Sequence, residues 1–255
     1  MLKRVGVAAF ARLLALRARC RCSRVGTSRR EQSPPASERR HCSQRDCSQR
    51  PKLLFLLAGQ SNMAGRGPLE TSSARAPVAA AWCFSQRTHT WEPSAADPLH
   101  SDKPEKAGVG PGLSFARLIA EAVPSVAASG VGLVPCAWGS SELSRWLPEG
   151  DLHREALRRA SAALHTAGAG ARFAGILWHQ GESDCGSEEL AGAHAAGAAT
   201  ALQALRDGLG DPALPVVLGE VSLSPFLESQ PICRICHAAA HFCHMYRTRH
   251  FWPPI

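Results

Sequence analysis

The sequence predicts an α/β fold: a mostly parallel sheet with helices packed on both faces. Two observations carry this. Short, continuous apolar runs recur along the middle of the chain, as strands buried on both faces require. Stretches with helical spacing lie between them, and strands alternating with helices imply parallel connections. A third observation concerns chemistry. Three of the four apolar runs pass directly into polar, glycine-containing segments, and in open parallel sheets ligands bind beyond the carboxyl ends of the strands.

The first run is Leu53-Leu54-Phe55-Leu56-Leu57-Ala58, stopped by Gly59. The second is Val131-Gly132-Leu133-Val134-Pro135-Cys136-Ala137, and the third is Phe173-Ala174-Gly175-Ile176-Leu177-Trp178. The fourth is Leu214-Pro215-Val216-Val217-Leu218-Gly219-Glu220-Val221. Helical spacing joins Leu113, Ala116, Ile119, Ala120 and Val123. It also joins Leu152, Ala156, Ala160 and Leu164, and then Leu190, His194, Ala198, Leu202 and Leu205. Residues 66–111 carry little regular pattern and read as a long surface excursion, with one short strand near Trp82–Phe84. Excursions of that length often line a site.

The ends of the chain differ from its middle. Residues 1–50 hold 13 Lys/Arg against 3 Asp/Glu, residues 51–230 hold 13 against 18, and residues 231–255 hold three Arg and no acid. The formal net charge of +8 therefore resides in the termini, which argues against nucleic-acid binding by the folded part. Residues 1–30, with nine Lys/Arg and no acid, have the composition of an organellar transit peptide; a secretory signal or an unaddressed leader are the alternatives. Residues 31–50 read as a linker. No run reaches the roughly 18 apolar residues of a membrane span, so no integral membrane segment is expected. Of the ten cysteines, only Cys83, Cys136 and Cys185 lie in the middle, unlike the even spread of a disulfide scaffold.

The strand ends carry Gly59-Gln60-Ser61-Asn62, then Trp138-Gly139-Ser140-Ser141, then His179-Gln180-Gly181-Glu182-Ser183-Asp184. Acyl transfer needs a nucleophile and a group of N–H donors for the developing oxyanion. A hydroxyl, glycine backbone and a glutamine amide supply both. Met63 in place of a second glycine excludes the Gly-x-Ser-x-Gly elbow, and no Gly-Lys-Ser/Thr follows to make a phosphate loop. Ser61 as a helix cap, and Gln180, Glu182 and Asp184 as loop ties, are the structural alternatives.

Four ordered blocks resemble the sialate O-acetylesterase-like carbohydrate esterases of the SGNH hydrolase superfamily, the plant-type members above all. They are Gly59-Gln60-Ser61-Asn62-Met63-Ala64-Gly65; Gly108-Val109-Gly110-Pro111-Gly112 with Phe115-Ala116, preceded by Pro98-Leu99-His100; Val134 to Ser141 with Trp146; and Leu177 to Asp184. The resemblance implies a flavodoxin-like three-layer sandwich with a central parallel sheet. It also implies a cofactor-free serine esterase acting on an acetylated small molecule or polysaccharide. By position Ser61 would be the nucleophile. Its N–H, the Gly139 N–H and the Gln180 side chain would form the oxyanion hole, with Glu182 and Asp184 as supporting acids. Gly139-Ser140 stands where the family has Gly-Gly, which predicts a stiffer turn.

The resemblance spans residues 53–223, so the domain is drawn as 51–223 and the rest, 224–255, as a divergent tail. The family's Asp-x-x-His block, which would supply the general base, has no counterpart: neither Asp207 nor Asp211 has a histidine three residues on. The expectation is a variant lacking the last strand and helix, with impaired turnover, or a catalytically silent homologue that binds carbohydrate. The tail also offers Cys233-Arg234-Ile235-Cys236-His237, with the spacing of a haem attachment, and Cys233, Cys236, His241 and Cys243 as zinc ligands.

Overall fold

A computed structural model describes residues 50–69 and 76–219. Its elements are β1 (Leu53–Gly59), a short α1 (Ser61–Ala64), β2 (Val78–Phe84), β3 (Trp91–Ala95), α2 (Pro111–Ala122), α3 (Pro124–Ser129), β4 (Val131–Pro135), α4 (Asp151–Ala167), β5 (Arg172–His179), α5 (Glu188–Gly208) and β6 (Val216–Leu218). The six strands form one sheet in the order β3-β2-β4-β1-β5-β6. All neighbours are parallel except β2 and β3. All four predicted strands are present.

Alternation along β1 divides the core, because successive side chains of a strand face opposite ways. Phe55 and Leu57 pack on one face with Leu113, Phe115 and Ile119 of α2. Leu54, Leu56 and Ala58 pack on the other with Leu152, Ala156 and Ala160 of α4 and with Leu202 and Leu205 of α5. Helices therefore cover both faces, and β1 is apolar throughout because neither face meets water.

Three details differ from the sequence expectation. The 66–111 excursion holds two strands rather than one, forming an antiparallel pair at the sheet edge. Alanine-rich Val78-Ala79-Ala80-Ala81 and the proline at Pro93 hide them from propensity, though an edge strand tolerates proline. In α4 the buried stripe runs through Ala160, Ala163 and Ala167, and Leu164 is 36% exposed. In α5 Leu190 is 40% exposed, and Ala191 takes the buried position. The leader, the tail cysteines and the expected loss of the last strand and helix fall on residues 1–49 and 220–255, outside the described residues.

Parallel strands β4 and β5 flank β1 on opposite sides. The carboxyl ends of these three strands therefore meet at a topological switch point, where such sheets bind ligands.

Candidate active site

The three strand ends are tied to one another by backbone. The Trp138 N–H donates to the Gly59 carbonyl at 3.0 Å, and the Gln60 N–H donates to the His179 carbonyl at 2.8 Å. Gly59, at φ +126°, turns the chain out of the sheet so that Ser61 opens α1. Ser61 is half-buried. Its N–H belongs to the first turn of a helix, whose donors have no intrahelical acceptor. Among the described residues no hydrogen bond engages that N–H or the Ser61 hydroxyl.

Ser61 and Gly139 line one cavity of about 520 Å³ together with Arg66, Lys103, Lys106 and Ser140. Two of the predicted site residues are thus brought together. The Gly139 N–H is already engaged, donating to Asp102 Oδ2 at 2.7 Å. Asp102 Oδ2 also accepts from Arg66 Nη2 at 2.7 Å, and the Asp102 side chain is fully buried. Ser140 stands at φ +61°, a left-handed conformation where a second glycine would sit without strain. Its hydroxyl accepts from Lys103 Nζ at 3.2 Å.

Gln180 is buried and does not line that cavity. Its amide nitrogen donates to the Ser141 carbonyl at 3.2 Å and to Asp184, and its Oε1 meets His194 Nε2 at 2.9 Å. Both amide protons are therefore spent within the protein.

The two acids separate. Asp184 accepts the Leu143 N–H on both oxygens, at 3.1 and 3.2 Å, besides its bond from Gln180, so it ties the loop after β4 to the loop after β5. Glu182 faces the nucleophile turn instead: Oε1 accepts from Asn62, the residue after Ser61, and lies 3.5 Å from His179 Nε2. Ser183 donates to Gln60 Oε1 at 2.8 Å on the other side of Ser61. Burial lowers the pKa of His179, against the pull of Glu182, and lowers that of His194, against Asp184 and Glu182.

Sequence reasoning missed Arg66, Asp102, Lys103 and Lys106. All four lie in the patternless 66–111 excursion, where no periodicity points to them; only the length of that segment signalled a role. It also passed over His194 as a core position. Behind Asp102, His100 is pushed down to about 4 by burial, and Asp97 is pushed up to about 7 by burial, against backbone N–H groups of Gly110 and Leu99. Among the described residues no cluster of three His, Cys, Asp or Glu could hold a metal, and no helix is long and apolar enough to cross a membrane.

The family model described as carbohydrate esterase, sialic acid-specific acetylesterase, matches residues 51–245. That span includes part of the segment set apart above as a tail. The probable carbohydrate esterase At4g34215 of Arabidopsis thaliana is 30% identical over 182 residues, covering 66% of this chain and 68% of that protein. Its X-ray structure superposes with a TM-score of 0.64 at 26% identity, over 74% of this chain and 80% of that one. The crystal structure of NanS shares the fold, with a TM-score of 0.55 at 20% identity over 75% of this chain and 74% of that one.

Proposed function

The chain belongs to the sialic acid-specific acetylesterase family of carbohydrate esterases, and from that premise we propose that it is a serine ester hydrolase removing O-acetyl groups from carbohydrate. The observation that carries this reading is the placement of Ser61. It stands at a strand-to-helix turn on the switch point of the sheet, with an unspent N–H, and lines a cavity with Gly139.

In the proposed reaction Ser61 Oγ attacks the acetyl carbonyl carbon and the C–O bond to the sugar breaks. The sugar oxygen leaves with a proton, and water then hydrolyses the acetyl-serine to acetate. The Ser61 N–H, the Gly139 N–H and Gln180 are the proposed oxyanion donors, and the last two must first release their present acceptors. Glu182 is the acid that supports the Ser61 turn through Asn62; Asp184 holds the loops that carry Gly139 and Gln180.

The hydroxyl proton of Ser61 needs an acceptor. Among the described residues no histidine hydrogen-bonds to Ser61, and the sequence has no Asp-x-x-His after Asp184. We therefore place turnover on the order of 10⁴-fold below that of an intact triad. A fluorophosphonate probe followed by mass spectrometry tests the nucleophile. A slow adduct on Ser61 is expected, and no adduct on folded protein removes the reading.

The engaged state of both Gly139 and Gln180 favours one second reading, a homologue that binds acetylated sugar without cleaving it. Calorimetric binding of an acetylated sugar with no release of acetate would support it over hydrolysis.

A further inference from the structure

We propose that Asp102 is an internal plug. Its carboxylate stands in the anion seat beside Ser61 formed by the Gly139 N–H and the Arg66 guanidinium, and an external carboxylate such as acetate enters that seat only when Asp102 leaves it. The inference rests on the reading of Gly139 as an oxyanion donor.

The seat is described by its present occupant. One oxygen, Oδ2, receives both donors, from Gly139 N and Arg66 Nη2, each at 2.7 Å. The other oxygen, Oδ1, is buried and has no hydrogen-bond partner, although a carboxylate accepts readily on both. A guanidinium converging with a backbone N–H on one oxygen is carboxylate-binding chemistry. The glycine is part of the construction. A Cβ at position 139 would lie 2.5 Å from Arg66 Nη2 and 3.1 Å from Asp102 Oδ2, so only glycine lets these groups close on its backbone. Lys103 and Lys106 complete a cationic lining, and none of the residues that line the cavity is acidic.

The consequence for the reaction is direct. The Gly139 N–H has one proton, and while Asp102 holds it that proton is not available to a substrate oxygen. The negative Asp102 oxygen would also oppose a second negative oxygen placed beside it. Because the plug belongs to the same chain, it competes at a high effective concentration. Apparent affinity for an external carboxylate is then reduced by the fraction of molecules in which the seat is open. Acetate, the product of the proposed reaction, has the same carboxylate group as the plug.

The test is an acetate titration of the ¹⁵N-labelled full chain, following the Gly139 amide resonance, with sodium chloride at equal ionic strength as control. In Asp102→Ala the midpoint is expected to fall about tenfold or more below that of the wild type. Asp102→Asn, which keeps the size and loses the charge, is expected to fall in between. Equal midpoints in the wild type and both variants, or an unresponsive Gly139 amide in folded variants, would overturn the plug. So would failure of both variants to give a native spectrum, because Asp102 would then be a structural tie. Ser61→Ala separates this inference from the proposed function. It should leave the titrations unchanged, so intact titrations with no turnover in any form would overturn the esterase reading alone.

Discussion

The two walls of the Ser61 cavity are built differently. One side is Ser61 itself, carried on the end of the sheet, where Gly59, Gln60 and His179 behind it are locked by backbone hydrogen bonds between neighbouring strands. The other is the excursion that follows α1, where Arg66, Asp102 and Lys103 are held by side-chain bonds to one another and to the Gly139-Ser140 turn. The first wall is a consequence of the fold. The second is a network of polar side chains laid against it.

A pair of glycine substitutions gives the largest expected contrast. An alanine at Gly59 would put its Cβ 2.0 Å from the His179 carbonyl oxygen, at a φ of +126°, so a backbone would have to move. Gly59→Ala should cost about 4 kcal/mol or more, or prevent folding, as read by urea denaturation. Gly139→Ala meets side chains and no backbone: the tip of Arg66 at 2.5 Å, which can swing away, and Asp102 Oδ2 at 3.1 Å, which need give only a few tenths of an ångström. It should cost about 1–2 kcal/mol, the scale of a lost charge-assisted hydrogen bond. Equal costs at the two positions would break the comparison.

Next in size is a pH effect within the polar wall. Asp97, raised by burial from 3.8 to about 7, binds its proton more tightly when folded. Its contribution is present at low pH and is lost as pH rises through 7. His100, lowered by burial from 6.5 to about 4, acts oppositely: its contribution is present above 6.5 and is lost as pH falls toward 4. The lowered His179 and His194 act in the same sense as His100. Asp97→Asn removes the opposing group. Its stability should therefore fall by on the order of 3 kcal/mol more than that of the wild type between pH 7 and about 4.5. Parallel stability curves for the two proteins would remove Asp97 from this balance.

How much was readable from sequence follows the same division. The sheet wall was readable because burial on both faces writes continuous apolar runs, and because Gly59, Gly139 and Gln180 end those runs. Ser61 and Gly139, singled out at two of those ends, line one cavity. The polar wall was not readable. Asp102 meets Gly139 across 37 positions and Arg66 across 36, and neither spacing is periodic. Glu182 and Asp184 were indistinguishable in sequence, being two residues apart on one loop. Only the fold sends one to Asn62 and the other to Gln180 and Leu143. Of the β2–β3 pair only Trp82–Phe84 was legible; the start of β2 and the whole of β3 escaped because alanine and proline carry no strand signal.

The smallest expected effect is at the junction of the walls. Ser140, at φ +61°, pays for a left-handed conformation that glycine adopts freely. Ser140→Gly should raise stability by about 0.5–1 kcal/mol in thermal or urea unfolding. A loss would mean that the bond from Lys103 to the Ser140 hydroxyl outweighs the strain.

The central claim is that Ser61 performs ester hydrolysis in this cavity. The most direct measurement is release of acetate from an acetylated sugar by the full chain and by Ser61→Ala, side by side. Slow release by the wild type, abolished in Ser61→Ala, is the predicted result. Equal release by the two proteins, with both folded, would contradict the account.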